Sequence, residues 1–143
     1  MKLARLIEHF HRQSHRQWAR AGTRLGVSHS EYEYLRAIKD QETRKTDKDN
    51  HGQHLQDVVA DMGVKKASAS AMVVKLEERG LVQRHACQHD ARAQHILLTP
   101  AGVNLLKLGE SVYDQAAEQA LSELSETGRH ALLTALQEID DTR

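Results

Sequence analysis

The apolar residues of this chain follow a helical spacing in six segments and an alternating one in two. Leu3, Leu6, Ile7, Phe10 and Trp18 share one face of a segment over 2–21, whose other face is rich in Arg, His and Gln. Gly22 and Gly26 are expected to break it. Ser28, with Glu31 three residues on, forms a capping box that opens a second helix, in which Tyr32, Leu35 and Ile38 recur at three-residue steps. From Lys39 to His54 there is no large apolar residue, so this stretch reads as a charged, flexible connection, long for a compact domain. Periodicity returns at Leu55, Val58, Val59 and Met62 and, after Gly63, at Ala69, Met72, Val73 and Leu76. Two short amphipathic helices around a glycine turn are the sequence form of a helix-turn-helix. Gly80 is placed to close the second.

The period then shortens. Residues 81–86 and 94–99 read as two strands around a polar tip, a β-hairpin. Thr99-Pro100 starts a helix over 100–121, with Thr as N-cap and Pro in the first turn. Its expected inward residues are Val103, Leu106, Val112, Tyr113, Ala117 and Leu121. Ser125 can cap a last helix carrying Leu132, Leu133, Leu136 and Ile139. The predicted fold is mainly α with a small β-hairpin wing: a winged helix-turn-helix lobe over 28–99, flanked by helices over 2–27 and 100–143. Within the lobe the recognition helix spans about 65–79 and the wing about 81–99, all in one domain over 1–143.

Composition narrows this picture. Hydrophobic residues make up 39% of the 143 positions and aromatics 3%, so the core rests on Leu, Val, Ile, Ala and Met, as a helical fold prefers. Lys+Arg and Asp+Glu are both 20, so net charge gives no sign of a nucleic-acid partner and any such reading rests on where the cations sit. Cys87 is the single cysteine, which excludes an intrachain disulfide and fits a reducing compartment. No secretory signal and no run of roughly 18 apolar residues is present, so a cytoplasmic protein without membrane contact is expected. There is no Gly-rich phosphate loop, nucleophile elbow or paired metal motif, and an enzyme is not expected.

The phrases MGVKKASASAMVVKLEERGLVQR (62–84) and HDARAQHILLTPAG (89–102) resemble the MarR family of bacterial regulators. Leu76, Glu77, Gly80, Leu81 and Val82 match the end of that family's recognition helix. Asp90, Arg92, Leu98, Thr99 and Gly102 match its wing and the helix start after it. The resemblance implies a homodimer, built by the first and last two helices, that binds double-stranded DNA as a repressor. Leu3, Leu6, Ile7, Phe10, Leu121, Leu132, Leu136 and Ile139 are the interface candidates. The small and polar face of Lys65, Lys66, Ala67, Ser68, Ser70 and Ala71 suits a helix whose backbone must approach base edges. Lys65, Lys66, Ser68, Ser70 and Arg84 are candidate DNA contacts, with His85 beside them. Arg92 is placed to enter a minor groove, fixed by Asp90. Lys65 stands where the family often has a capping Ser or Thr, and the face lacks Arg, Asn and Gln. DNA shape and dimer spacing are therefore expected to carry much of the specificity.

Three signals are open. The resemblance implies release by a small aromatic or phenolic acid, for which Trp18, Tyr32, Tyr34 and Tyr113 are candidates. His11 and His15, one helical turn apart, suit Zn²⁺ or Cu²⁺, with His9, His29 or Glu31 as possible further ligands. Zinc-sensing relatives place ligands in the long helix after the wing, which has no histidine here. Cys87, near Arg84, His85 and His89, is the redox candidate. No cofactor is required for DNA binding itself. A winged-helix protein-interaction module that never touches DNA is the rival from another class.

Overall fold

In a computed structural model the described residues are 2–43, 54–87 and 92–140. The elements are α1 (Leu3–Leu25), α2 (His29–Thr43), α3 (Leu55–Met62), α4 (Lys66–Glu78), β1 (Val82–Ala86), β2 (Gln94–Leu98), α5 (Pro100–Ser122) and α6 (Glu126–Asp140). This is the mainly helical order with one hairpin that the periodicity predicts. The chain divides into two compact units, Ala21–Glu110 and Met1–Arg20 with Ser111–Arg143. No described helix is long and apolar enough to cross a membrane.

In the unit Ala21–Glu110 local chemistry closes the start of α2, the end of α4 and the start of α5. Ser28 Oγ accepts the Glu31 N–H at 3.1 Å while the Glu31 carboxylate accepts the Ser28 N–H at the same distance, a reciprocal cap on α2. At the end of α4, Gly80 sits in the left-handed region (φ 70°). Its N–H reaches Glu77 O at 2.9 Å, and the Leu81 N–H reaches Leu76 O at 2.9 Å. That pair of bonds turns the chain from helix into wing. Thr99 Oγ1 donates to Gly80 O at 2.7 Å and accepts the Gly102 N–H at 3.1 Å, tying the start of α5 to the same turn. A Cβ on Gly102 would stand 2.1 Å from Leu81 O, so no larger residue fits there. Leu35, Ile38, Val58, Val73, Leu76, Val82 and Ile96 are withdrawn from water inside this frame. Each buried side chain of this size contributes about 1.5–3 kcal/mol.

Two boundaries differ from the sequence expectation. Helix α1 runs through Gly22 to Leu25 and ends at Gly26 (φ 70°), because one internal glycine costs only about 1 kcal/mol. Helix α2 continues past Lys39 to Thr43, although it has no large apolar residue there. Its last turn gains polar partners instead. The Glu42 carboxylate accepts the Leu98 N–H at 3.1 Å and the Lys39 ammonium at 3.0 Å, and Gln41 is buried. The remainder of the expected flexible connection, 44–53, lies outside the described residues.

The unit formed by Met1–Arg20 with Ser111–Arg143 is closed differently. Gln13 and Gln17 of α1 donate to Glu123 at 3.3 Å and to Gln119 at 3.0 Å, and Trp18 meets Tyr113 edge to face at 6.2 Å. Ser125 Oγ accepts the Gly128 N–H at 3.1 Å and starts α6. Its apolar residues mostly stay outside. Leu3 is 71% exposed, Ile7 60% and Ile139 52%. Tyr113 and Ala117, expected inside, are exposed as well, because their face of α5 opens onto a groove. That groove has a volume of about 690 Å³ and is lined by Ile7, Phe10, Tyr113, Ala117, Leu121, Leu132 and Leu136.

Candidate nucleic-acid interface

Helix α4 follows a tight turn in which Gly63 (φ 63°) donates to Val59 O at 2.9 Å. Ala69, Val73 and Leu76 face inward. That leaves Lys65, Lys66, Ala67, Ser68 and Ala71 exposed and Ser70 half-buried, a face without bulk. Lys65 occupies the N-cap position in extended backbone, and its side chain makes no cap hydrogen bond. Ammonium has no acceptor to offer the first helical N–H groups.

The wing pairs antiparallel from Val82 opposite Leu98 to Ala86 opposite Gln94. Strand alternation puts Arg84 on the face of Val82 and Ile96, with Gln83 and His85 on the other. Arg84 is half-buried there, its Nε 3.3 Å from the Glu77 carboxylate of α4, so it links the wing to that helix. His85 is exposed, and Nε2 lies 3.2 Å from Gln83 Oε1. Arg92 is exposed in the turn before β2. A cleft of about 350 Å³ gathers Lys66 and Ser70 of α4, Arg84 and Arg92 of the hairpin, and Gln56 of α3. Lys65 and Ser68 lie outside its lining, on the open face of α4. Asp90, expected to hold Arg92, lies outside the described residues.

Positioning of α4 depends on a residue that periodicity does not mark. The Arg79 guanidinium donates to the buried Glu31 carboxylate and, at 2.6 Å, to Gly26 O, so the end of α4 is fastened to the start of α2. Burial alone would raise the Glu31 pKa. The Ser28 N–H and the Arg79 guanidinium outweigh it and hold the carboxyl below its usual value. Arg36 does similar work on the other face of α2, bonded to Glu110 and 3.8 Å from Asp40.

The remaining candidates fall in separate places. Trp18 and Tyr113 meet in one unit, whereas Tyr32 and Tyr34 are buried in the other, with Tyr32 against Gly109. His11 and His15 are exposed, their rings stacked at 6.5 Å. The proposed further ligands have other partners: His9 lies 3.9 Å from Glu123, His29 lies 3.5 Å from Glu33, and Glu31 is engaged by Ser28 and Arg79. Among the described residues, the three metal-ligating side chains that share one small volume are His54, Cys87 and His95. Cys87 is buried just after β1, its N–H bonded to Ala93 O at 3.1 Å.

Residues 25–93, from the end of α1 through the wing turn, match the MarR family. The chain is similar in structure to wild-type MarR from E. coli in its apo form, with a TM-score of 0.78 at 16% identity over 97% of this chain and 96% of that one. It is also similar to a point mutant of S. aureus MepR, with a TM-score of 0.74 at 17% identity over 99% and 98%. The third likeness is to the S. aureus MepR–DNA complex, with a TM-score of 0.68 at 15% identity over 100% and 99%. The matched segment carries the helix-turn-helix and wing described above, so this part of the chain is similar in sequence to the MarR family, and the fold as a whole is that of the solved MarR and MepR structures.

Proposed function

We propose that the protein is a homodimeric DNA-binding transcriptional repressor that reads a pseudo-palindromic operator and is released by a small aromatic or phenolic acid. One observation carries the DNA reading: Lys66 and Ser70 of α4 converge in a single cleft with Arg84 and Arg92 of the wing. An α-helix enters a major groove only if its leading face is slender, and Ala67, Ser68 and Ala71 keep it so. Arg92 is assigned to an adjacent minor groove, where a narrow A·T-rich tract attracts guanidinium. The likeness to MepR in its complex with DNA supports the same reading.

Dimerisation rests on the open groove between Ile7, Phe10, Leu121, Leu132 and Leu136. An apolar surface of this extent is costly in water, and a second copy related by a two-fold axis would cover it. The same axis would present two α4 helices to successive turns of DNA. The signal is assigned to an aromatic acid, for which the exposed Tyr113, in edge contact with the buried Trp18, offers a ring surface. The activity is binding, with no reaction and no cofactor, in a cytoplasmic protein.

The test is fluorescence anisotropy on the DNA upstream of the protein's own gene. Affinity should fall by orders of magnitude between about 50 and 200 mM salt, as phosphate contacts release counterions. Arg92→Ala should weaken binding by about 1–3 kcal/mol, with the dimer and the thermal midpoint unchanged. Absence of binding at low salt would leave the protein-interaction reading in its place.

A further inference from the structure

We propose that His54, Cys87 and His95 form a binding site for a zinc-class divalent cation at the turn end of the wing strands. The three residues come from separate parts of the chain, and the fold alone unites them. His54 is the residue before α3, Cys87 follows β1, and His95 is the second residue of β2. Their ligand atoms all lie within 4.8 Å of one another, with His54 and Cys87 buried and His95 half-buried.

Backbone bonds fix all three positions before any ion arrives. His54 forms an isolated antiparallel bridge with His95, on the edge of β2 away from β1. The rings of these histidines stand 4.6 Å apart. Cys87 is held by the bond from its N–H to Ala93 O. Two imidazoles and one thiolate are a donor set that zinc prefers to calcium or magnesium. Tetrahedral zinc, at about 2.1 Å from nitrogen and 2.3 Å from sulfur, sets its donors roughly 3.4–3.7 Å apart. Binding would draw the three groups in from their present separations to that spacing, leaving the fourth position for water or another ligand.

The surroundings supply the rest of a metal site. The Asp57 carboxylate accepts the His54 N–H at 3.0 Å and lies 3.5 Å from the ring Nδ1. A carboxylate at one imidazole nitrogen fixes the ring and directs the other nitrogen to the metal. The cleft bordered by His54 provides an entry path. Lys66, Arg84 and Arg92 line that cleft and oppose a bare cation, an opposition the thiolate charge reduces. Among the described residues, the exposed pair His11 and His15 has no third ligand grouped with it as these three are. Once bound, the ion would fasten the start of the helix-turn-helix to both strands of the wing.

Cobalt(II) is the probe, titrated into the reduced full-length protein. One equivalent should give a thiolate charge-transfer absorption with intense visible bands, both erased by zinc. The unfolding midpoint should rise with zinc. Cys87→Ser should abolish the charge-transfer band and the zinc-dependent rise while keeping the metal-free circular dichroism. His95→Gln should weaken zinc by more than about 100-fold, since even loss of an outer-shell partner costs 10- to 100-fold. Cobalt bound without the charge-transfer band, or affinity intact in Cys87→Ser, would overturn the site. So would affinity lost in His11→Gln/His15→Gln but kept in His95→Gln, and so would copper(I) binding with zinc and cobalt excluded.

Discussion

The unit Ala21–Glu110 and the unit formed by the chain's two ends spend their apolar residues in opposite ways. In the first, Leu35 and Ile38 of α2, Val58 of α3 and Leu76 of α4 are fully buried, and polar caps close the helix ends around them. In the second, glutamine amides and one aromatic pair join the helices, while Leu3, Ile7, Leu133, Leu136 and Ile139 face outward. A fold that needs only itself hides its leucines. The other unit leaves them exposed, as the proposed second copy would require.

The largest expected effect tests that contrast directly. Leu35→Ala empties a fully buried position and should cost about 3–5 kcal/mol in urea unfolding, at any protein concentration. Leu136 is 46% exposed. Leu136→Ala should cost less than about 1 kcal/mol of the chain's own fold, by the apolar area left to lose. Its main effect should be weaker self-association in analytical ultracentrifugation. If Leu136→Ala destabilises as much as Leu35→Ala at every dilution, the contrast fails.

Next in size is the bond that fastens α4 to α2. Arg79→Ala leaves the Glu31 carboxylate buried without its cation and should cost about 2 kcal/mol. A pH series on Glu31→Gln gives the sign. The folded-state pKa of Glu31 is held below 4.5 by Ser28 and Arg79 against the opposing effect of burial. Its charged form therefore adds stability above pH 4.5 that is lost as pH falls through the lower folded value. The wild-type advantage over Glu31→Gln should be full near neutrality and vanish in acid. An advantage that grows on acidification would reverse the assignment.

These two units also differ in how much of them the sequence discloses. Ser28 with Glu31, Gly80, Thr99-Pro100 and Ser125 are legible because a cap and its partner lie within four residues. Lys66, Ser70, Arg84 and Arg92 could be nominated from a helix face and a hairpin, but not their convergence in one cleft. Arg79–Glu31 spans 48 positions, Glu42–Leu98 spans 56 and Arg36–Glu110 spans 74, and no periodicity records who stands opposite whom. The cluster of His54, Cys87 and His95 is hidden for the same reason, since two of its members adjoin the polar stretches that pattern reading passes over. Tyr113 and Ala117 misled in the opposite sense. A stripe at helical spacing shows that a face is apolar, not whether this chain or another covers it.

A middle-sized pair compares caps across the two units. Thr99 Oγ1 makes two bonds in a buried turn, whereas Ser125 Oγ makes one in the open. Thr99→Ala should cost about 2 kcal/mol and Ser125→Ala about 0.5–1 kcal/mol, the two ends of the usual N-cap range. Equal costs would show that burial adds nothing to a cap here. Hydrogen exchange separates the two readings further, because Thr99→Ala should open the wing as well as the first turn of α5.

The smallest effect lies on the outer surface of α1. Arg12 stands 3.7 Å from Glu8 one turn earlier, with side chains 68% and 58% exposed, an ion pair immersed in water. Such pairs contribute about 0.3–0.5 kcal/mol, and salt screens them further. Arg12→Ala should therefore change stability by no more than that, with the difference gone at about 1 M salt. The same substitution should leave self-association untouched, because the groove is lined by Phe10, Ser14 and their neighbours and not by Arg12. A loss above about 1 kcal/mol, well beyond what an exposed pair supplies, or a weaker dimer, would mean that the polar face of α1 takes part in assembly. The division between a finished surface and a waiting one would then have to be drawn elsewhere on that helix.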